Sequence, residues 1–412
     1  MMKKTFLALG AAAALLLPNV AGAEGFGIVE WSAEGMAMGG ARMFAEDDAA
    51  NVAYNPASIT KVKGEALKSS YTYLSPHGQY DMEGVNGAPG EKESGRNVVK
   101  PGWAVGTYYV RQINDKEWFG MGAFPRFAMV SKFERGNIGV SSNAFLSKLN
   151  GISVTPVYAH KFDKKWTGAV GAEINYVGLE LEKNMGGIIP THTEGESFAL
   201  GWNAAANYTF DDKNEMGLVY RSKIKHSMEA DFNCYGGQLA AYGTLDAYGE
   251  VTLPDSWSIG YSHKFDDKTR VELNATRTNW STYDALNINI DKLGMQESPK
   301  NWKDGWRYAI GVERKLSDKY SLMAGFAYDE SSIPYDGADF LVPTGNRRTY
   351  SIGGQYHDKK HTVAVALGYM DVGDLDIKGH PGTSAKPGDN YTSAHTHDNY
   401  VKMASISWQR HF

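Results

Sequence analysis

Across residues 198–210 the chain alternates with a period of two. Phe198, Leu200, Trp202, Ala204, Ala206, Tyr208 and Phe210 fall on one side, and Ala199, Gly201, Asn203, Ala205, Asn207 and Thr209 on the other. Trp306, Tyr308, Ile310 and Val312 are set in the same way against Lys303, Arg307 and Glu313, and Val363, Val365, Leu367 and Tyr369 repeat the pattern. Successive side chains of a strand point to opposite faces, so these stretches predict strands with one apolar face. Short Asp/Lys turns punctuate them at residues 114–116, 163–165, 211–213, 266–268, 317–319 and 357–359. Longer stretches rich in Gly, Pro, Asn and Asp lie between, at residues 76–96, 135–150, 183–196, 232–249, 282–301, 331–344 and 374–397. Six short and seven long connections join about 14 antiparallel strands, with both barrel ends on the short-turn side. Short turns at one end and long loops at the other is the asymmetry of an outer-membrane barrel.

Residues 24–59 break the pattern. They hold Gly25-Phe26-Gly27, Gly39-Gly40-Ala41, Glu46-Asp47-Asp48 and Asn55-Pro56-Ala57, with no long alternating run. The segment is too short and glycine-rich to fold alone, and its simplest place is inside the barrel as a plug. Before it, Lys3-Lys4, an apolar run over residues 6–17 and Ala21-Gly22-Ala23 form a secretory signal peptide with cleavage expected before Glu24. The expected organisation is a signal peptide at 1–23, a hatch at 24–60 and a barrel at 61–412. The acidic Glu46-Asp47-Asp48 is expected to pair with lumen cations, and Asn55, Pro56 and Ala57 to fix the turn into the first strand.

Composition narrows the class. No apolar run is long enough for a spanning helix, and mean hydropathy is −0.41, which leaves a barrel as the membrane option. The 24 Tyr and 10 Trp suit membrane interfaces. Formal charge is −5, and falls further when Lys3 and Lys4 are removed, so nucleic acid is not an expected partner. Cys234 is the one cysteine, so no intramolecular disulfide exists. The last strand, residues 399–412, ends on Phe412, with Ala404, Ile406 and Trp408 on its outward side and Arg410 beside them. A terminal aromatic of this kind is similar to the signal read by barrel assembly machinery.

Gly25-Phe26-Gly27, residues 32–40, Asp47-Asp48-Ala49 and Asn55-Pro56-Ala57 resemble the start of the FadL family. Gly201-Trp202-Asn203, Tyr220-Arg221-Ser222, Leu253-Pro254, Thr278-Asn279-Trp280, Asp329-Glu330-Ser331 and Arg347-Arg348 continue the likeness along the mature chain. The resemblance implies a 14-stranded barrel with an N-terminal hatch in the outer membrane of a Gram-negative bacterium. It implies passive, diffusive uptake of long-chain fatty acids or other hydrophobic small molecules, with no cofactor or energy source. Expected neighbours are outer-membrane lipids, lipopolysaccharide and the assembly machinery, around a monomer. The stretch 183–196 is shorter than the partly helical loop of many fatty-acid transporters, which keeps aromatic or aliphatic hydrocarbons as the alternative cargo. A general porin or adhesin is disfavoured by the plug.

A hydrophobic ligand with a carboxylate needs an apolar slot and a cation. On residues 166–183 the inward set ends in Val177, Leu179, Leu181 and Lys183, and apolar residues facing a wet lumen are expected to line a pocket. By resemblance, Lys183 matches a basic position near the ligand head group, and Lys303 lies in a segment bordering the ligand site. Lys303 and Arg307 are expected on the lumen face near the outer end of their strand, free for a head group or paired with an acid such as Glu313. Pro125 interrupts residues 118–133, where Phe119, Met121, Ala123, Phe127 and Met129 read as the lipid face and Arg126 as lumen-facing. Proline cannot complete a strand ladder, so a kink is expected. By resemblance this is where the wall opens sideways. His380, His395, His397 and Asp398 have no firm ligand spacing, so no metal site is expected. There is no nucleophile elbow and no ordered Ser/His/Asp set, so no enzyme is expected.

Overall fold

The computed structural model describes residues 25–134, 138–185, 188–380 and 389–412. The predicted signal peptide lies outside them, with Glu24 and parts of three predicted loops. The strands are β1 (Glu65–Glu83), β2 (Lys92–Arg96 and Gly102–Gln112), β3 (Glu117–Phe124 and Ala128–Lys132), β4 (Leu146–Lys161) and β5 (Trp166–Met185). Next come β6 (Ile189–Thr209), β7 (Asn214–Arg221 and Ile224–Cys234), β8 (Thr244–Leu253 and Ser256–Lys264) and β9 (Thr269–Thr278 and Ala285–Ile290). β10 (Gly294–Pro299 and Gly305–Lys315), β11 (Tyr320–Asp329), β12 (Arg347–His357), β13 (His361–Val372 and Leu375–Lys378) and β14 (Ser393–His411) complete the ring. Each strand pairs antiparallel with the next, and β14 returns to β1 from Ala66↔His411 to Glu83↔Ser393. Closure removes the unpaired edge that hydrocarbon cannot solvate.

The six Asp/Lys turns join β2–β3, β4–β5, β6–β7, β8–β9, β10–β11 and β12–β13 at one end. Asp163, Asp211, Asp266 and Asp358 each accept backbone N–H bonds from the residues two and three ahead. This local Asx geometry is why the short punctuation recurs. At the other end most predicted loops are largely strand. β5 and β6 run on to Met185 and Ile189, through nearly all of the stretch read as a loop at 183–196. Beyond the membrane the outer face of a strand meets water while the inner face packs under the loops, so polar residues turn outward and Val177, Leu179 and Leu181 inward while the ladder continues.

The alternation assigns the faces correctly over the band. Leu200 is 76% exposed and Phe198 72%, which only a lipid surface makes reasonable, while Asn203 and Asn207 point inward and are buried. Trp166 lies opposite Tyr208, and Tyr176 opposite Phe198. Ten residues separate Trp166 and Tyr176. At ~3.3 Å each and a tilt near ~40°, they span about 25 Å, the height of the apolar band between aromatic girdles.

Residues 25–62 fill the lumen. They carry two short helices, α1 (Ala33–Ala37) and α2 (Asn51–Tyr54), and a 3-10 turn at Pro56–Lys61. Ser32 caps α1 by accepting from Gly35 N–H. Asn55 accepts from Ala57 N–H and donates to Asn207 Oδ1 at 2.7 Å, so it caps the 3-10 turn and ties it to the wall. Pro56 supplies the preset φ of the first turn position. Where α1 ends, Gly39 has φ +62° and its backbone lies against Gly325 of β11, leaving no room for a Cβ on either residue.

Charge holds this segment in place. Lys68 of β1 is 1% exposed and reaches Asp48 at 2.7 Å and Glu34 at 2.9 Å. Arg42 joins Asp48 at 3.4 Å and Glu313 at 3.1 Å. Burial pushes the Asp48 carboxyl up, but Lys68 and Arg42 outweigh it and bring it down to about 2. Glu46 pairs with Lys61 and Lys264, and Asp47 lies 3.7 Å from His411. The acidic run therefore meets cations as expected, some from the wall and some from the hatch itself.

Candidate ligand route

Beneath the outer loops, Leu149, Leu179, Leu181, Met228, Val251, Tyr283 and Leu286 face Leu341 and Val342 of the β11–β12 loop around an apolar cavity of about 20 Å³. That is room for roughly one water, so a chain-like ligand enters only if the lining parts. Phe26 forms the floor with Phe127, Trp280, Tyr283 and Trp302, in ring contacts of 4.6 to 6.0 Å. Below this aromatic floor is a second chamber of about 100 Å³, lined by Trp31, Tyr54, Arg126, Arg221, Arg307 and hydroxyls of β8 and β9. The loops above are pinned by Lys300, fully buried and paired with Asp339 and Ser298.

The predicted site residues separate into groups. Leu179 and Leu181 line the apolar cavity, and Lys183 comes next on the same face, outside that lining and exposed. Lys303 is not on the lumen face. It lies in the loop before Gly305 and is exposed, because the buried Trp302 beside it takes the inward position. Arg307 faces the lumen, but its partners are Asp329, at 2.9 Å, and the hatch carbonyl of Gly39, at 2.7 Å, rather than Glu313. Glu313 is taken by Arg42 and Arg270. Arg126 faces the lumen as expected and reaches Glu173 at 3.3 Å and the Pro254 carbonyl at 3.0 Å. Both arginines are thus held by buried acids of the wall while they line the second chamber. His395 lies 2.8 Å from Asp376 and His397 lies by Asp81 and Asp398, while His380 approaches Asp389.

Pro125 sits at a break in β3. The pairing of β2 with β3 stops at Thr107↔Ala123, leaving Gly102–Gly106 of β2 without a ladder on that side. The strands meet again only where Val98 N–H donates to the Lys132 carbonyl at 2.6 Å and Asn97 bridges Phe133. On its other side β3 keeps β4, but Phe124↔Ser153 is succeeded by Ala128↔Asn150, so three residues oppose two. The extra residue shifts the phase of the strand after it. Phe127 and Met129, expected on lipid, are instead buried in the lumen core, and Pro125 is buried in the break rather than on the lipid face.

On the β3 side the hatch supplies new partners. Ile28 N–H donates to the Arg126 carbonyl and Ala128 N–H to the Phe26 carbonyl, both at 2.9 Å. Trp31 donates its indole N–H to the Pro125 carbonyl at 2.7 Å, and its own carbonyl accepts from Tyr108 Oη at 2.8 Å, so it stands behind the break. Arg347 anchors the hatch start through the Gly25 carbonyl. The roles of Trp31, Lys68, Lys300 and Arg347 lie beyond the reach of the sequence pattern. Lys68 left a trace there, as a lone lysine among the small inward residues Ala66, Ser70 and Thr72, and Arg347 only as part of the family likeness.

A plugged 14-stranded barrel with an interrupted third strand is now defined, and a family model described as outer membrane protein transport protein (OMPP1/FadL/TodX) matches residues 14–412. The chain belongs to this family. It is an outer-membrane transport barrel. The long-chain fatty acid transport protein of Escherichia coli strain K12 is 24% identical, over 87% of this chain and 90% of that one. Outer membrane protein P1 of Haemophilus influenzae strain Rd is also 24% identical, over 89% and 90%. A crystal structure of a Pseudomonas aeruginosa FadL homologue superposes with a TM-score of 0.83 at 18% identity, covering 94% of this chain and 99% of that one. The toluene transporter TodX of Pseudomonas putida gives 0.70 at 16% identity, over 94% and 100%. These two likenesses establish a common fold.

Proposed function

We propose that this family member carries long-chain fatty acids or similarly hydrophobic small molecules, passively and without converting them, from the cell surface into the membrane through the break at Pro125. The observation that carries this reading is the exchange of partners there. The wall gives up its ladder between β2 and β3, and on the β3 side hatch backbone bonds the freed groups of Arg126 and Ala128. Unpaired groups in hydrocarbon would cost several kcal/mol each, at roughly the transfer scale. A break that the hatch closes is one that hatch movement opens. Cargo enters between Leu179, Leu181 and the β11–β12 loop, passes the aromatic floor, and leaves beside Trp31. Lys183 is the cation best placed for a carboxylate, next after Leu181 on the same face. Arg126 and Arg307 hold the hatch and strand in register.

The test extends the β2–β3 register across the break, placing cysteines at Val105 and Pro125 in a Cys234→Ser background. A disulfide or short thiol cross-linker should slow uptake of labelled oleate into cells, and reduction or omission of the linker should restore it. Equal uptake by the tied and untied barrels would rule out the sideways route. Neutral hydrocarbons are a second reading, favoured because no charged side chain among the described residues lines the cavity around Leu179 and Leu181. Binding of oleate and of an alkane of equal length separates the two.

A further inference from the structure

We infer that Glu180, Glu182 and His192 form a site for a zinc-class divalent metal ion on the outer wall of the barrel, beyond the membrane. Glu182 and His192 are directly opposed partners of β5 and β6. Glu180 is two residues from Glu182 and shares its face, so all three side chains leave the wall on the side away from the lumen. A carboxylate oxygen of each glutamate and an imidazole nitrogen lie within 4.8 Å of one another, and no other such group occurs among the described residues. Three atoms that far apart share a centre within about 2.8 Å of each. Metal–ligand distances of ~2.0–2.2 Å are reached by moving each atom less than ~1 Å, which side-chain torsions supply.

The donors choose the ion. One imidazole with two carboxylates suits zinc and its neighbours in the transition series, whereas calcium and magnesium take oxygen alone. Glu180 is already oriented: Oε2 lies 3.2 Å from Lys148 Nζ while Oε1 lies 3.5 Å from His192 Nε2. Lys148 thus acts as the outer partner that holds a metal-binding carboxylate in place. Three protein ligands leave a coordination position open to the outside. The site stands four to six residues beyond the Tyr176–Phe198 girdle, or about 10–15 Å at the strand tilt, in the aqueous headgroup layer. The adjoining groove of about 490 Å³ is lined by Glu194, Glu196, Glu229, Asp231 and Asp246, whose common sign concentrates cations beside it. Leu179, Leu181 and Lys183 alternate with these ligands on the inner face of β5, so a bound ion fixes the strand segment that borders the cargo slot.

Cobalt(II) and zinc are the probes. Full-length protein purified in detergent and stripped with chelator should take up one equivalent of cobalt with visible d–d absorption, displaced by one equivalent of zinc. His192→Ala should abolish that band and weaken zinc by about tenfold or more, while His395→Ala on β14 should leave both unchanged. Heat-modifiability on gels reports barrel folding for each variant. If His192→Ala fails to fold, Glu182→Gln carries the same expectation. A wild type without the cobalt band, or a folded ligand variant that keeps it, overturns the site.

Discussion

Lys68→Met isolates the charge that holds the hatch. Methionine keeps most of the lysine volume, so little cavity is created. What changes is the pairing of two buried hatch carboxylates. Glu34 loses the cation at 2.9 Å, and Asp48 loses the one at 2.7 Å but keeps Arg42 at 3.4 Å. Removing one partner of a buried ion pair costs ~3–5 kcal/mol. The retained arginine places this change at the lower end, about 3 kcal/mol, and at about 1.4 kcal/mol per decade the population with a displaced hatch rises by roughly a hundredfold. The wall strands keep their ladders, so the barrel stays folded. Planar-bilayer recording should show frequent openings, and hydrogen exchange should accelerate at hatch amides such as Ala33 N–H, which donates to Ser407 Oγ. Lys68→Met with Glu34→Gln should recover part of the loss, because the stranded carboxylate is gone. A Lys68→Met barrel with wild-type exchange and no added conductance would refute electrostatic retention of the hatch.

Lys183→Ala should weaken fatty-acid binding by about tenfold and leave an alkane of equal length unchanged, as measured by fluorescent-ligand displacement. Arg307→Ala strands the buried Asp329 and frees the Gly39 carbonyl, so it should raise bilayer conductance without altering the preference between fatty acid and alkane. Because the folded Asp48 lies at about 2, below the ordinary aspartate value of ~3.9, its contribution is fully present above that ordinary value and is lost only as pH falls toward 2. Hatch-amide exchange, corrected for its intrinsic pH dependence, should therefore give the same protection at about pH 5.5 and about pH 7.5; loosening at the lower value would exclude Asp48 as the controlling group.

The strand count, the turn end and the lipid face were legible along the chain because each depends on local facts. Asp163 or Asp211 builds its turn from its own next residues, and Phe198, Leu200 and Trp202 declare the lipid face by a period of two. Pro125 was legible as an interruption because a missing N–H is a property of one residue. The facing of the residues beyond it was not legible. A bulge shifts the phase by one, so Phe127 and Met129 turn inward, and nothing local to them records the shift. Arg307 and Arg126 were correctly placed on the inner face, but a positive charge on that face serves a ligand or an internal acid equally well. Asp329, opposite Arg307 on the neighbouring strand, and Glu173, two strands from Arg126, supply the acids that hold them. Lys303 failed for a simpler reason: its strand begins two residues later, and alternation has no meaning before that point.

Barrel class, turn positions, the lipid-facing band and the existence of a plug are therefore properties of the chain alone, since backbone pairing and period-two burial are short-range rules. The partners of buried charges, the seat of Trp31 behind the wall break and the meeting of Glu180, Glu182 and His192 belong to tertiary structure. Each joins groups on separate strands or segments, and their distance is set by closure of the ring and by the register of its ladders.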